Sequence, residues 1–315
     1  MRKIALEEHF TLPGLADYGH GPHSSMDGAG LNRFAPLLGE FDHQRLDAMD
    51  AAGIELAVLS VTTPGVQVEP VARTAILRAR AANDFLATVI QRHPQRYGGF
   101  AHLPLQDPEA AADELSRCVN DLGFSGAMIN GHSNGHYLDE DMFQPFWERV
   151  QALDVPVYLH PADPFDMPHM YQGHPELLGA TWSWTVEAGT HALRLIFGGV
   201  FERFPGLHVV LGHMGETLPY LLWRLDSRHR AQHPTGSRLP SELIRRHIKV
   251  TTTGVCAHPS LLCAVQALGE DNVMFSVDYP YENCQVAAAF IETAPLSTEQ
   301  RMKICYGNAS RLLKL

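Results

Sequence analysis

Short apolar runs rich in β-branched residues alternate with longer amphipathic stretches along the chain, and this alternation restricts the fold more than any other feature. Eight runs are typical of buried strands: Lys3 to Leu6, Leu56 to Val61, Gly98 to Leu103, Gly126 to Ile129, Val155 to Leu159, His208 to Leu211, Ile248 to Thr252 and Val273 to Val277. Helical patterns lie between them, at Val71 to His93, Pro108 to Leu122, Asp141 to Leu153, Ser183 to Phe204, Glu216 to His229 and Pro259 to Leu268. Because parallel strands need a long connection to return to the same edge of a sheet, this order predicts parallel pairing through crossover helices.

The number of strands favours a single closed barrel. The chain has 315 residues, 45% of them hydrophobic, and no linker rich in Pro, Ser or Gly divides it. Eight-stranded α/β barrels commonly run to about 250 residues or more as one domain. We therefore predict an α/β fold, a (β/α)8 TIM barrel formed by residues 1–315 as one domain, with the long loops 11–40 and 161–181 covering its C-terminal face. A doubly wound open sheet is the alternative, and it is weakened because no glycine-rich phosphate fingerprint follows the first strand.

Charge and cysteine content exclude several classes of partner. The 24 Lys and Arg residues against 35 Asp and Glu give a net charge of −11, which disfavours nucleic acid because binding a polyanion requires clustered basic groups. No apolar run reaches 18 residues and no signal-peptide core is present, so neither a membrane span nor secretion is expected. The five cysteines form no CxxC pair, which fits reduced thiols in the cytoplasm.

Polar side chains suited to a metal ion follow four of the predicted strands: Glu7, His9, His160, His213 and Asp278. The first strand runs into Glu7-Glu8-His9, where the period of two places Glu7 and His9 on one face and Glu8 on the other. Residues after the strands of a TIM barrel face its catalytic mouth, and imidazole and carboxylate are the ordinary ligands of Zn²⁺ and Mn²⁺. The sequence therefore predicts one divalent metal ion at this mouth.

Other motifs are less informative. Asn130, at the end of the fourth strand, is expected to face the same pocket. Asp278 precedes Tyr279-Pro280, so a simple turn is the alternative explanation for that residue. No nucleophile elbow, catalytic cysteine signature or Walker lysine is present, which argues against catalysis by a protein nucleophile.

Eight segments occur in one order along nearly the whole chain: Ala5 to Phe10, Leu103 to Pro108, Cys118 to Phe124, Leu153 to Pro156, Tyr158 to Pro161, Leu211 to Glu216, Trp223 to Asp226 and Phe275 to Pro280. This set resembles the amidohydrolase superfamily (amidohydrolase family 2), and within it the metal-dependent, non-oxidative decarboxylases related to γ-resorcylate and 2,3-dihydroxybenzoate decarboxylases. The resemblance implies a carboxy-lyase that acts on an aromatic carboxylate with one Zn or Mn ion, assembled as a homodimer or homotetramer.

The resemblance also implies roles for single residues. It assigns the metal to four ligands: Glu7, His9, His160 and Asp278. It places His213, paired with Glu216, in the active site, and Tyr281 against the substrate ring. Arg224 would help to complete the substrate site, in some members across a subunit interface.

Two departures from the family bear on substrate identity. Relatives often read His-Pro-Arg-Asn-Pro after the fifth strand, whereas Ala162 stands here in place of the Arg. The loop from His132 to Asp141 is also shorter than in close relatives. Neither change touches the metal ligands.

The predicted reaction is protonation by Asp278 of the ring carbon that carries the carboxylate, with His213 and Glu216 orienting or moving protons. Three alternatives stay open. The same metal arrangement can activate water to hydrolyse a lactone or amide, with Asp278 as the base. The substrate could instead be a non-aromatic acid such as a muconate semialdehyde, or the barrel could be an inactive binding module.

Overall fold

The structure is a computed structural model that describes residues 1–16, 18, 28–233 and 238–315, with residues 28–32 described by their backbone alone. Its strands are β1 (Lys3–Phe10), β2 (Ile54–Val61), β3 (Tyr97–Gly99), β4 (Ala127–Asn130), β5 (Val157–His160), β6 (Val209–Leu211), β7 (Ile248–Thr251) and β8 (Val273–Met274). Its helices are α1 (Gly28–Leu38), α2 (Gln44–Ala52), α3 (Ala72–Arg92), α4 (Pro108–Asn120), α5 (Gln144–Leu153), α6 (Ser183–Phe197), α7 (Val200–Arg203), α8 (His213–Glu216), α9 (Leu218–Gln232), α10 (Pro240–His247), α11 (His258–Leu268), α12 (Cys284–Thr293), α13 (Thr298–Met302) and α14 (Asn308–Leu313). All eight predicted strands are present. None of the described helices is long and apolar enough to cross a membrane.

The strands follow one another in the ring order of an eight-stranded barrel. Parallel ladders join β1, β2 and β3 in that order into one sheet, and β4, β5, β6, β7 and β8 in that order into a second sheet. Two single parallel bridges, Ala101 with Ala127 and Glu8 with Tyr279, join the two sheets at both seams. The predicted (β/α)8 barrel is therefore confirmed, and the open-sheet alternative is wrong.

Apolar side chains form two layers, one inside the barrel and one between the barrel and its helices. The interior layer contains Ile4, Leu6, Val58, Phe100, Met128, Tyr158, Val210 and Met274, and Ala309 and Leu313 of α14 pack against it. The larger layer lies between the strands and the helices, where Phe10 of β1 contacts Phe41 and Phe85. Burial on both faces explains why the strands read as continuous apolar runs.

A β-bulge interrupts β1 just before the polar residues. Ala5 pairs with Ala57 and Glu8 pairs with Leu59, so three steps along β1 oppose two along β2. Without the extra residue, the alternation that points Leu6 inward would point Glu7 outward. The bulge therefore turns Glu7 into the barrel.

Several predicted boundaries need correction. Glu7 and His9 lie inside β1 rather than after it, since the strand continues to Phe10. The predicted loop 11–40 contains α1, and its residues 17 and 19–27 lie outside the described residues. The predicted helix Ser183 to Phe204 breaks between α6 and α7. Gly199 adopts a left-handed backbone there, which ends a helix at little cost for glycine.

Candidate metal centre

Four polar side chains from three strands meet at the mouth of the barrel. Glu7 and His9 come from β1, His160 is the last residue of β5, and Asp278 follows β8. Nε2 of His160 lies 3.2 Å from Oε1 of Glu7, and Nε2 of His9 lies 3.2 Å from Oδ1 of Asp278. Ligand atoms of Glu7, His9 and His160 all lie within 4.8 Å of one another. The structure thus brings together the four predicted metal ligands.

The hydrogen bonds of these side chains fit a bound cation. Nδ1 of His160 lies 2.7 Å from the Pro161 carbonyl oxygen, which only accepts, so Nδ1 is the donor of this hydrogen bond. Nε2, on the other side of the ring, faces Oε1 of Glu7. Within the described chain, this oxygen and both ring nitrogens of His9 are buried without a hydrogen-bond partner. Buried polar atoms are rarely left unpaired, and a divalent ion between them would satisfy the set.

Glu7 is held from behind by the hydroxyl group of Tyr158, which in turn contacts the hydroxyl group of Thr251. Oη of Tyr158 donates to Oε2 of Glu7 and lies 2.7 Å from Oγ1 of Thr251. Burial by itself would raise the pKa of Glu7, but the neighbouring imidazoles of His160 and His213 bring it below its usual value. Glu7 is therefore ionised, as a metal ligand must be.

Sequence reasoning missed Tyr158. The signal was available, because Tyr158 precedes His160 by two residues on β5 and therefore shares its face. Gly212, after β6, was also missed. A Cβ on Gly212 would lie 2.7 Å from Oε2 of Glu7, so only glycine fits beside this carboxylate.

Glu8 points away from the centre, as the period of two predicts. It is 2% exposed and accepts hydrogen bonds from Val277 N–H (3.0 Å) and Tyr279 N–H (3.2 Å). Burial raises the pKa of Glu8 to about 8, and the bonds to Val277 and Ser276 offset part of that rise.

The segment α8, which carries His213 and Glu216 between β6 and α9, is a strained turn rather than a regular helix. Five consecutive residues have positive φ: His213 (48°), Met214 (58°), Gly215 (82°), Glu216 (52°) and Thr217 (66°). Positive φ is costly for residues other than glycine and tends to mark functional sites. The turn brings Nδ1 of His213 to 2.6 Å from Oε1 of Glu216 and Nε2 to 3.9 Å from Oδ2 of Asp278.

The carboxylates around His213 favour its charged form. Burial alone would lower the pKa of His213, but the charge of Glu216 and the nearby Asp278 carboxylate raise it well above its usual value. The opposite holds for Asp278: burial alone would raise its pKa, but the nearby imidazoles of His213 and His9 bring the pKa well below its usual range. A protonated imidazole thus lies beside an ionised carboxylate.

Tyr281 and Asn130 lie next to the centre. The Tyr281 ring is 5.7 Å from the His9 ring and 5.0 Å from the Phe34 ring, and its hydroxyl lies 2.7 Å from Oγ1 of Thr62. Asn130 is fully buried. Its side-chain amide donates to the Val61 carbonyl (3.3 Å), and its Oδ1 has no hydrogen-bond partner in the described chain. Both residues therefore offer polar groups close to the rings of His9, Phe34 and Tyr281.

Arg224 does not reach the metal centre of its own chain. It lies exposed on α9, and no hydrogen bond or ion pair joins it to the described site residues. Tyr220 and Trp223 on the same helix are 81% and 76% exposed. A single chain therefore does not place Arg224 at the metal centre.

Comparison with known proteins relates this geometry to a family. Residues 34–315 match a family model described as Amidohydrolase. A γ-resorcylate decarboxylase from a Rhizobium species is 42% identical and is matched over 99% of this chain and 98% of its own length. A solved 2,6-dihydroxybenzoate decarboxylase in complex with 2,6-dihydroxybenzoate has a TM-score of 0.93 with 41% identity and covers 100% of both chains. A dihydroxybenzoic acid decarboxylase from a Polaromonas species, with bound manganese and the inhibitor 2-nitroresorcinol, has a TM-score of 0.92 with 42% identity and covers 99% of this chain and 97% of its own.

Proposed function

The chain belongs to the amidohydrolase family, and from that premise we propose that it is a metal-dependent, non-oxidative decarboxylase of a hydroxylated benzoate. The observation that carries the proposal is the convergence of Glu7, His9, His160 and Asp278 in a chain that matches γ-resorcylate decarboxylases over almost its full length. A relative has been solved with 2,6-dihydroxybenzoate bound, so this is the substrate to test first.

Four residues would hold one divalent ion: Glu7, His9, His160 and Asp278. Such an ion, when bound, supplies a Lewis acid for the substrate carboxylate and an adjacent ring hydroxyl. The mixed nitrogen and oxygen ligands suit both Mn²⁺ and Zn²⁺, and the manganese in a relative favours Mn²⁺.

Asp278 delivers the proton in this proposal. A new C–H bond forms at the ring carbon that bears the carboxylate, the bond from that carbon to the carboxylate then breaks, and its electron pair restores the aromatic ring as carbon dioxide leaves. Asp278 is ionised in the structure, so it must first receive a proton. His213 is the nearby charged donor, 3.9 Å from Oδ2 of Asp278, and Glu216 stabilises its charge.

The remaining predicted residues bind the ring. Tyr281 provides an aromatic face beside His9, and its hydroxyl is held by Thr62. The unpaired Oδ1 of Asn130 is available to accept a hydrogen bond from a ring hydroxyl. Together these groups would orient a hydroxylated ring.

We also propose that the enzyme is a homodimer or homotetramer in which Arg224 reaches the site of a neighbouring subunit. The exposed Tyr220 and Trp223 beside Arg224 support this arrangement, since large exposed aromatic side chains are typical of interfaces. Mixing inactive R224A and D278N chains tests it. Recovered activity is expected, because a site with Asp278 intact regains Arg224 from the D278N chain. Mixed oligomers that stay inactive would contradict the arrangement.

A cytoplasmic location belongs to the same proposal. None of the five cysteines forms a disulfide, and stable disulfides are typical of oxidising compartments. Fractionation of the native host tests this location.

The test of function is direct. Protein loaded with Mn²⁺ is expected to convert 2,6-dihydroxybenzoate to the dihydroxybenzene with release of carbon dioxide. The reaction is monitored by the change in ultraviolet absorbance. Metal-loaded protein that hydrolyses a lactone panel and leaves every hydroxybenzoate untouched would overturn the proposal.

A further inference from the structure

The bulge in β1 depends on a side chain from the far end of the chain. Successive amides in a regular strand point to opposite neighbours. Here the N–H groups of Leu6 and Glu7 both donate to Oγ of Ser276, at 3.1 and 2.7 Å. Ser276 therefore satisfies the two amides that the bulge displaces, and the bulge is what directs Glu7 into the barrel.

Ser276 is itself fixed from two sides. Its main chain exchanges two hydrogen bonds of 3.0 Å with the hydroxyl of Thr252, which follows β7. Its own hydroxyl donates to Oε1 of Glu8 at 3.1 Å. Because that hydroxyl has one proton and Glu8 accepts it, the oxygen lone pairs of Ser276 remain free for the amides of Leu6 and Glu7.

The same Glu8 carboxylate holds the backbone on both sides of Asp278. It accepts the Val277 and Tyr279 N–H groups. Asp278 between them has a φ of 85°, a conformation that persists only when the surroundings hold it in place. β8 ends at Met274, so the only strand pairing of this segment with β1 among the described residues is the single parallel bridge between Glu8 and Tyr279.

A buried cation completes the arrangement on this outer face of β1. Arg45 of α2 is 1% exposed and donates to the His9 carbonyl oxygen at 2.6 Å. Its guanidinium lies 4.7 Å from the centre of the Tyr279 ring. The segments that carry His9 and Asp278 are thus held together from behind the metal centre.

We propose that Glu8, acting with Ser276, is a positioning residue that sets the geometry of the metal ligands Glu7 and Asp278. This inference rests on the proposed metal-dependent function, and it adds two side chains that contact neither metal nor substrate. Groups that orient metal ligands typically change metal affinity by 10–100-fold when they are removed.

The test uses E8Q and S276A, alone and combined. Each Glu8 oxygen accepts one backbone N–H. The NH2 group of a glutamine donates and cannot accept, so E8Q sets a donor against a backbone N–H in either orientation of the amide, whereas S276A removes only one hydroxyl. The matched control is E114Q. Glu114 is also a buried carboxylate, and it pairs with Asn83 of α3 and Arg117 of α4.

Three quantities are measured on the full chain: Mn²⁺ affinity of the metal-free protein from the electron paramagnetic resonance of free Mn²⁺, kcat and KM with 2,6-dihydroxybenzoate, and the midpoint of thermal unfolding. E8Q and S276A are each expected to weaken Mn²⁺ binding by at least tenfold and to lower kcat. The combined loss should be smaller than the product of the single losses, because the two residues act through one contact. E114Q should lower the unfolding midpoint and leave Mn²⁺ affinity unchanged.

Mn²⁺ affinities of E8Q and S276A within twofold of the parent would overturn the inference, whatever happens to the unfolding midpoint. If E8Q does not fold, S276A decides. A parent protein that binds Mn²⁺ without decarboxylating any hydroxybenzoate would overturn the proposed function alone, because the affinity comparison would still stand. A parent that binds no Mn²⁺ overturns both.

Discussion

Strand β1 and the turn after β6 each supply one glutamate and one histidine to the site, and they do so in opposite ways. Glu7 and His9 lie on an extended strand whose pairing with β2 fixes their direction. His213 and Glu216 lie on a turn with five consecutive positive φ angles. The contrast teaches that an extended strand with one bulge can direct two proposed metal ligands, whereas the pair proposed to handle protons is held in a strained conformation that its surroundings must maintain.

Asp278 connects the two regions, so its replacement should have the largest effect. Its Oδ1 faces His9 and its Oδ2 faces His213. We expect D278N to lower kcat by about 10³-fold or more, since general acid catalysis typically contributes 10²–10⁴-fold and the residue also binds metal. The measurement is carbon dioxide release, with circular dichroism as the control for folding. An active D278N protein would remove the proton donor from the proposal.

A pair of substitutions separates proton transfer, proposed for His213, from metal binding, proposed for His9. We expect H213Q to lower kcat by about 10²-fold with Mn²⁺ affinity close to that of the parent, because His213 moves protons in the proposal. H9Q should instead lose Mn²⁺ binding, because it removes a ligand nitrogen. Metal titration and steady-state kinetics on both variants are the measurements. Equal loss of metal in H213Q and H9Q would make the contrast between the two regions false.

Two buried histidines away from the metal centre show what burial does without a carboxylate partner. Burial lowers the pKa of His102 and of His191 to about 3. Below the usual pKa of 6.5, the unfolded chain takes up protons that the folded chain excludes. Stability is therefore lost as the pH falls from about 6.5 towards 3, by about 1.4 kcal/mol per pH unit for each residue.

Urea unfolding between pH 7 and pH 4.5 measures this slope. H191Q should make it shallower, because glutamine does not titrate and its carbonyl oxygen can accept the Leu138 N–H that Nε2 of His191 now accepts. An unchanged slope in H191Q would show that His191 has the same pKa in the folded and the unfolded chain.

The smallest expected effect concerns the strain itself. Thr217 is exposed, has a φ of 66° and forms no side-chain cap on α9. T217G should therefore raise the free energy of unfolding by about 1 kcal/mol, since left-handed backbone costs about 1–2 kcal/mol for residues other than glycine. The matched control is T298G in α13, an exposed helical threonine where glycine should destabilise. A T217G protein less stable than its parent would mean that the turn is not strained at this position.

Much of the molecule follows from local sequence features. Strand number, parallel order and the identity of the polar residues at the mouth are local, because apolar runs and turn residues act over a few positions. The opposite orientation of Glu7 and Glu8 also follows from the strand period. Elements with weaker patterns, such as α1 and α2, were not predicted.

The remaining features arise from contacts between distant residues. The bulge that turns Glu7 inward depends on Ser276, 269 residues further along the chain, and a regular strand would have placed that side chain on the outer face. Arg224 reads as a site residue, yet packing leaves it on the surface of α9. The sequence by itself determined which chemical groups the site contains, since ligand type is a property of the side chain. Only the tertiary structure decided their directions, because bulges, strained turns and seams are stabilised by partners that no local pattern identifies.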